Sequence, residues 1–171
     1  MPSTYTLISS NVLSSSAASV TFSAIPSTYT DLVLRMSLRT NAGGSISNAL
    51  IQVNSITGTY SYTGLVGTGS AASSNRNSGS YQGYYVDIVS GDGSTSNTFS
   101  SHEVYLPNYA GSANKVVSLD NAQEANGTTA YRIVRAGLLG NTAAVSSLTI
   151  TGDGVSFLST SSFYLYGIKN S

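Results

Sequence analysis

The sequence predicts an all-β chain: an antiparallel β-sandwich of about ten short strands, built as one domain over residues 1–171. Three observations predict it. Within the stretch 29–40, the run Asp31-Leu32-Val33-Leu34-Arg35-Met36-Ser37-Leu38-Arg39 alternates Leu32, Leu34, Met36 and Leu38 with Asp31, Arg35, Ser37 and Arg39. That two-residue period belongs to a strand with one face in a core and the other in water. Further β-prone runs recur along the chain, separated by Gly, Pro, Asn and Asp at the spacing of a sandwich or barrel. No window carries a convincing helical period; the best rival, 119–130, contains Asn121, Asn126, Gly127 and two threonines, which are poor helix formers. Two sheets packed face to face are the economical way to bury so many one-sided strands.

Taken in order, Tyr5-Thr6-Leu7-Ile8 is a short β-prone opening, and 11–19 is a stretch of small residues. Val20 to Ile25 alternates loosely until Pro26, which lacks a ladder donor and restricts Ile25, forces a turn before the strand at Asp31. Asn41-Ala42-Gly43-Gly44 supplies turn chemistry ahead of Ala49-Leu50-Ile51-Gln52-Val53, and Thr59-Tyr60-Ser61-Tyr62 is another alternating fragment. Residues 64–80 hold four glycines and little that is large, so they read as a long loop, of the length usually reserved for function. Strand character resumes over 81–89, 97–106, 115–120, 130–136, 145–151 and 162–168. The breaks between these runs fall at Gly91-Asp92-Gly93, Pro107-Asn108, Asn126-Gly127, Gly140-Asn141 and Gly152-Asp153-Gly154.

Composition bounds the function classes. Seven basic residues balance seven acidic ones, and 8% of the chain is charged, against about 25% in an ordinary soluble domain. Phosphate-dominated recognition needs a basic face, so nucleic acid is not an expected partner. No apolar run approaches the ~20 residues of a membrane helix, and the N-terminal residues lack the basic and apolar regions of a secretory signal; no membrane role is expected. With no cysteine there is neither a disulfide nor a thiolate nucleophile or ligand. A neutral, hydroxyl-rich surface offers little self-repulsion and suits a protein packed in an assembly.

Candidate chemistry is sparse. His102 is the single histidine; its neighbour Glu103 points to the opposite strand face, so they form no acid and base pair, and one histidine does not make a zinc site. No Gly-x-Ser-x-Gly elbow presents a nucleophile. Gly64-Leu65-Val66-Gly67-Thr68-Gly69 has the spacing of a loosely read phosphate loop, but the helix such a site requires does not follow it. Asp92 and Asp153 each sit between glycines and read as turn residues rather than calcium ligands, since calcium takes six to eight oxygens. Asn126-Gly127-Thr128 is formally a glycosylation acceptor without meaning in a bacterial cytoplasm. No catalytic residue, metal ligand or cofactor is expected.

Tyrosine is the informative residue type. Tyr60, Tyr62, Tyr81, Tyr84 and Tyr85 flank the glycine-rich stretch, and Tyr105 and Tyr109 flank Pro107. Tyrosine combines rigid contact area with a polar tip and favours interfaces and sugar-binding surfaces. The competing reading places alternate members, such as Tyr60 and Tyr62, in the core. Because Tyr84 and Tyr85 are adjacent on a strand, at least one must face outward. The interface candidates are Tyr60, Tyr62, Arg76, Tyr81, Tyr84, Tyr85 and Tyr109, with the 64–80 stretch between them and the terminal segments next.

Several short motifs, in order along the chain, resemble a family of small bacteriophage virion structural proteins. They are Thr4-Tyr5-Thr6-Leu7-Ile8-Ser9-Ser10, Ser19-Val20-Thr21-Phe22 to Ile25-Pro26, Tyr29-Thr30-Asp31-Leu32, Asn97-Thr98-Phe99, Val104-Tyr105-Leu106-Pro107-Asn108-Tyr109 and Leu165-Tyr166-Gly167-Ile168-Lys169-Asn170. The chain departs from the family pattern near Leu138-Leu139, where relatives often carry a tryptophan. The resemblance implies a jelly-roll-like sandwich located in the virion and made in the host bacterial cytoplasm. It implies a homo-oligomer whose partners are the major capsid protein or other virion proteins. Within that family the expected role is a non-enzymatic head decoration or cement protein on the outside of the capsid lattice; the alternative is a tail fibre or appendage module that recognises host-surface glycan.

Overall fold

The computed structural model describes residues 4–124 and 130–169, and among these there is no helix. Twelve strands follow in chain order: β1 (Tyr5–Val12), β2 (Ser19–Phe22), β3 (Asp31–Leu38), β4 (Ile46–Val53), β5 (Tyr60–Gly67), β6 (Ala72–Tyr81), β7 (Tyr84–Ser90), β8 (Ser100–Leu106), β9 (Lys115–Glu124), β10 (Ala130–Leu139), β11 (Leu148–Gly152) and β12 (Ser162–Ile168). All ladders between them are antiparallel, and they form an eight-stranded sheet, β1-β12-β3-β8-β9-β10-β5-β6, and a four-stranded sheet, β2-β11-β4-β7. The sandwich is therefore as expected, with two strands more than the sequence suggested.

The order has a simple interpretation. When β5, β6, β9 and β10 are set aside and the other eight strands renumbered in chain order, the two sheets become 1-8-3-6 and 2-7-4-5, the paired Greek keys of a jelly roll. The β5–β6 hairpin is inserted between the fourth and fifth strands of that roll, and the β9–β10 hairpin between the sixth and seventh. The two insertions pair with each other through β10 and β5 and extend one sheet well past the other. The molecule thus has a two-layered body and a wing made of β9, β10, β5 and β6, with β7 packed over β9 and β10.

The body holds the core. Leu32, Leu34, Met36 and Leu38 of β3 lie in one cluster with Val20, Phe22, Ile51, Val53, Leu148, Ile150, Phe157 and Phe163, so the alternation read from the sequence marks the buried face. The other face of β3 is not uniformly wet. Val33 is buried, and Asp31 accepts hydrogen bonds from the Tyr105 hydroxyl (2.7 Å) and the Asn108 amide (2.8 Å). Arg39, expected on the solvent side, is instead buried. Its guanidinium donates to the carbonyls of Thr95, Thr98, Asp92 and Ser94 at 2.9 to 3.2 Å, where a delocalised fork of donors can serve a loop that lacks ladder partners.

Several strand boundaries also differ from expectation. Residues 64–80 are not a loop: β5 runs to Gly67, a short turn closes with Thr68 N–H donating to the Ala71 carbonyl (2.9 Å), and β6 begins at Ala72. Tyr81 ends β6 rather than opening the next strand, and β8 starts at Ser100 after a left-handed Asn97. The expected turn at Asn126-Gly127 and the terminal Asn170 lie outside the described residues.

Candidate functional site

On the inner face of the wing, beyond the cover of the four-stranded sheet, four of the seven candidate residues meet a guanidinium. Tyr62 and Arg135 both point to this face, because β5 and β10 pair Tyr62 with Gly137 and Gly64 with Arg135. Arg135 lies across Gly64, where an added Cβ would fall 2.6 Å from its Cγ, and its guanidinium carbon sits 4.1 Å from the centre of the Tyr62 ring. This is a cation–π stack that a side chain at position 64 would obstruct. Arg135 also donates to the Asp87 carboxylate and to the Tyr85 carbonyl (3.3 Å). Asp87 is offered by a β-bulge in β7. The ladder passes from Asn48↔Asp87 to Ser47↔Val89 and leaves Ile88 as the extra residue, at φ 61°. A β-branched residue rarely adopts that conformation, and bulges of this kind re-aim neighbouring side chains.

The tyrosines continue the cluster. The Tyr62 and Tyr81 rings lie 5.9 Å apart at 39°, and those of Tyr81 and Tyr85 5.4 Å apart at 61°. Asn77 donates to the Tyr81 hydroxyl (2.7 Å), and the Tyr85 hydroxyl donates to Asp153 (2.8 Å). Burial, with the Asp153 bond second, pushes the Tyr85 phenol up to about 12; burial likewise raises Tyr62, against the pull of Arg135. Burial raises Asp87 above the usual carboxylate range, with Arg135 opposing it. The group is half-buried, aromatic and hydrogen-bonded, and its polar tips are largely engaged with one another.

The remaining candidates divide. Tyr60 and Tyr84 are core residues, 1% and 3% exposed, in edge-to-face contact at 4.9 Å. The Tyr60 hydroxyl accepts from the Val53 amide (2.9 Å), and that of Tyr84 donates to the Lys115 carbonyl (2.8 Å). Tyr109 is fully buried, its hydroxyl donating to the Pro26 carbonyl. These three are therefore no interface residues on the folded chain: each has an apolar body to bury and a carbonyl or amide for its tip. Tyr85, by contrast, does face outward, as adjacency to Tyr84 requires. Arg76 is exposed, but on the outer face of the wing, opposite Thr63.

That outer face was not anticipated. Registered rows cross it strand by strand: Val116–Leu138–Ser61–Ser78, then Tyr105–Ser118–Ala136–Thr63–Arg76, then Glu103–Asp120–Val134–Leu65–Ser74. Leu65, Val116, Val134 and Leu138 are 59%, 49%, 41% and 39% exposed, and two shallow depressions lie between them. Contiguous exposed apolar surface of this kind is where soluble proteins meet other molecules. The signal was present in the sequence, since Val134 and Leu138 share a strand face with Arg132 while Arg135 shares the other with Ile133.

His102 is buried and neutral, with Nε2 2.7 Å from the Ser100 hydroxyl; burial lowers its pKa to about 4. Among the described residues no three His, Asp or Glu side chains gather to hold a metal.

No protein-family model matches this chain, and no curated protein does. Among solved structures, the galectin LEC-6 of Caenorhabditis elegans aligns with 91% of this chain and 94% of its own, at 12% identity and a TM-score of 0.40. So loose a likeness bears on neither the site nor its ligand.

Proposed function

We propose that this chain is a non-enzymatic structural protein of a bacteriophage virion, a decoration protein that adheres to the outside of the head lattice. The reading rests on the sequence motifs set out above and on one structural observation. The jelly roll carries a wing whose outer face exposes an apolar stripe, while the described polar clusters are engaged in holding loops or one another. Such a molecule acts by contact area. A standard contact buries roughly 1,600 Å², and repetition over a lattice multiplies weak contacts into stable occupancy. Its partners are then the major capsid protein or other virion proteins. The test is cryo-electron microscopy of the intact particle of the phage that encodes the chain, together with binding of the purified protein to emptied heads. Density confined to the tail, with no binding to heads, overturns the assignment.

A second reading has one observation in its favour. Tyr62, Tyr81 and Tyr85 gather beside Asn77, Asp87 and Asp153 on the uncovered inner face, the mixture of aromatic and polar groups that a glycan-binding tail module would use. Ring angles of 39° and 61° do not make the coplanar platform favoured for stacking on a sugar ring, so we rank it second. A glycan array and a host-cell binding assay distinguish the two readings, since a decoration protein ignores both.

A further inference from the structure

We infer that the outer face of the wing is a self-association surface, on which a second copy of this chain packs face to face about a twofold axis running along β10. The inference stands on the geometry of the sheet and is independent of the virion reading.

A face as apolar as the stripe Leu65, Val134, Ala136, Leu138 and Val116 is unusual beside strands otherwise finished in Ser, Thr and Asn. It spans β9, β10 and β5, with β10 in the middle. For two copies stacked with a twofold along β10, the register dictates what meets what: β5 of one copy lies over β9 of the other, and β6 lies over β8. Leu65 and Thr63 then meet the β9 column of Val116, Ser118 and Asp120, while Val134, Ala136 and Leu138 meet their own counterparts near the axis. An isologous contact requires that kind of self-complementarity.

Charge selects this axis over the alternative. Arg76 is an exposed cation in the Tyr105–Ser118–Ala136–Thr63–Arg76 row, and among the described residues it has no acidic partner within its own chain. The twofold along β10 sets it opposite Tyr105 of the second copy, one row from that copy's Glu103, offering a ring face and a carboxylate together. Stacked sheets lie about 10 Å apart, a gap an arginine side chain can bridge. A twofold perpendicular to the strands would instead lay β6 on β6, where Arg76 finds only serine, asparagine and another Arg76. The footprint, five strands by seven residues, is roughly 24 Å by 24 Å, or on the order of 600 Å² per copy before side-chain relief is counted. That falls at the small end of specific interfaces, near the ~800 Å² per partner of a standard one, so the dimer is expected to be reversible and concentration-dependent.

The experiment is sedimentation velocity on the full chain over a concentration series, with far-UV circular dichroism to check that each variant is folded. The wild type is expected to shift from monomer to dimer as concentration rises. Leu138→Asp and Val134→Asp, both at exposed positions, are expected to hold the chain monomeric. Ile46→Asp, an equally exposed apolar position on the other sheet, is expected to leave the dimer intact. Arg76→Glu is expected to weaken association about three- to tenfold, as is Glu103→Arg, and combining the two is expected to recover most of the loss. A chain that stays monomeric throughout the series overturns the inference and leaves the face to a different protein. A dimer indifferent to Leu138→Asp and Val134→Asp also overturns it, and a double charge swap that recovers nothing overturns the axis.

Discussion

The body and the wing are parts of one continuous sheet, yet they are stabilised in different ways. In the body each strand has a second layer opposite it, and large side chains such as Leu34, Phe157 and Phe163 are excluded from water. In the wing the second layer stops at β7. What remains is a hydrogen-bonded ladder, a half-buried group of tyrosines around Arg135, and an edge strand, β6, whose described side chains are almost all exposed. The contrast shows that one ladder can serve two ends: backed by a core it sets the fold, and without backing it presents surface.

The comparison can be tested by perturbing each half. The largest effect is expected from Phe163→Ala, which removes a fully buried ring in edge-to-face contact with Phe157 at 5.3 Å. A loss of about 4 kcal/mol, read from urea unfolding, sets the scale of the body; a loss under 1 kcal/mol would mean that the two layers are not the source of stability. Arg39→Met should follow at about 3 kcal/mol, since it leaves the carbonyls of Asp92, Ser94, Thr95 and Thr98 without their buried donor. Limited proteolysis should then cut within 91–99 first.

The two halves are also expected to answer acid in opposite directions. His102, in the body, has a folded pKa of about 4 against 6.5 when unfolded. Its neutral burial therefore contributes stability that is fully present above pH 6.5 and is lost as pH falls toward 4, by roughly 3 kcal/mol in total. Asp87, in the wing, has a folded pKa raised by burial, so its contribution is present below the ordinary carboxylate range and is lost as pH rises through the folded value. Hydrogen exchange measured between pH 4 and 7 resolves the halves: β8 should loosen at the acid end while β7 beside Arg135 should not. His102→Gln should flatten the body's response. The smallest effect is expected from Ser74→Ala in β6, within about 0.5 kcal/mol; a larger loss would show that the edge strand is covered.

The same contrast explains what could be read without coordinates. The β3 alternation was legible because one face is sealed by a second layer and sequence must record that. The 64–80 stretch read as a loop because neither face of β6 has anything to bury, so Ser73, Ser74, Asn75, Arg76 and Asn77 carry no period. Its strand state is imposed by pairing with β5. Arg39 looked like a solvent residue because its partners are backbone carbonyls from a loop some fifty positions away, which no local pattern encodes. Among the tyrosines, residue type alone could not separate Tyr60 and Tyr84, each with a nearby backbone group for its hydroxyl, from Tyr62 and Tyr85 at the margin of the core. The inner cluster and the outer stripe depend on how β10 meets β5, across a separation of about seventy residues.

That seam imposes an order of dependence on the two insertions. The β9–β10 hairpin is anchored to the body through β8, whereas β5–β6 touches the ladder only through β10, so the former can exist without the latter but not the reverse. Excising residues 60–81 should leave a shorter sheet ending cleanly at β10. Excising 115–139 would leave an isolated hairpin, and such hairpins are marginal in water. An ancestral roll must therefore have acquired the later insertion in the chain before, or together with, the earlier one.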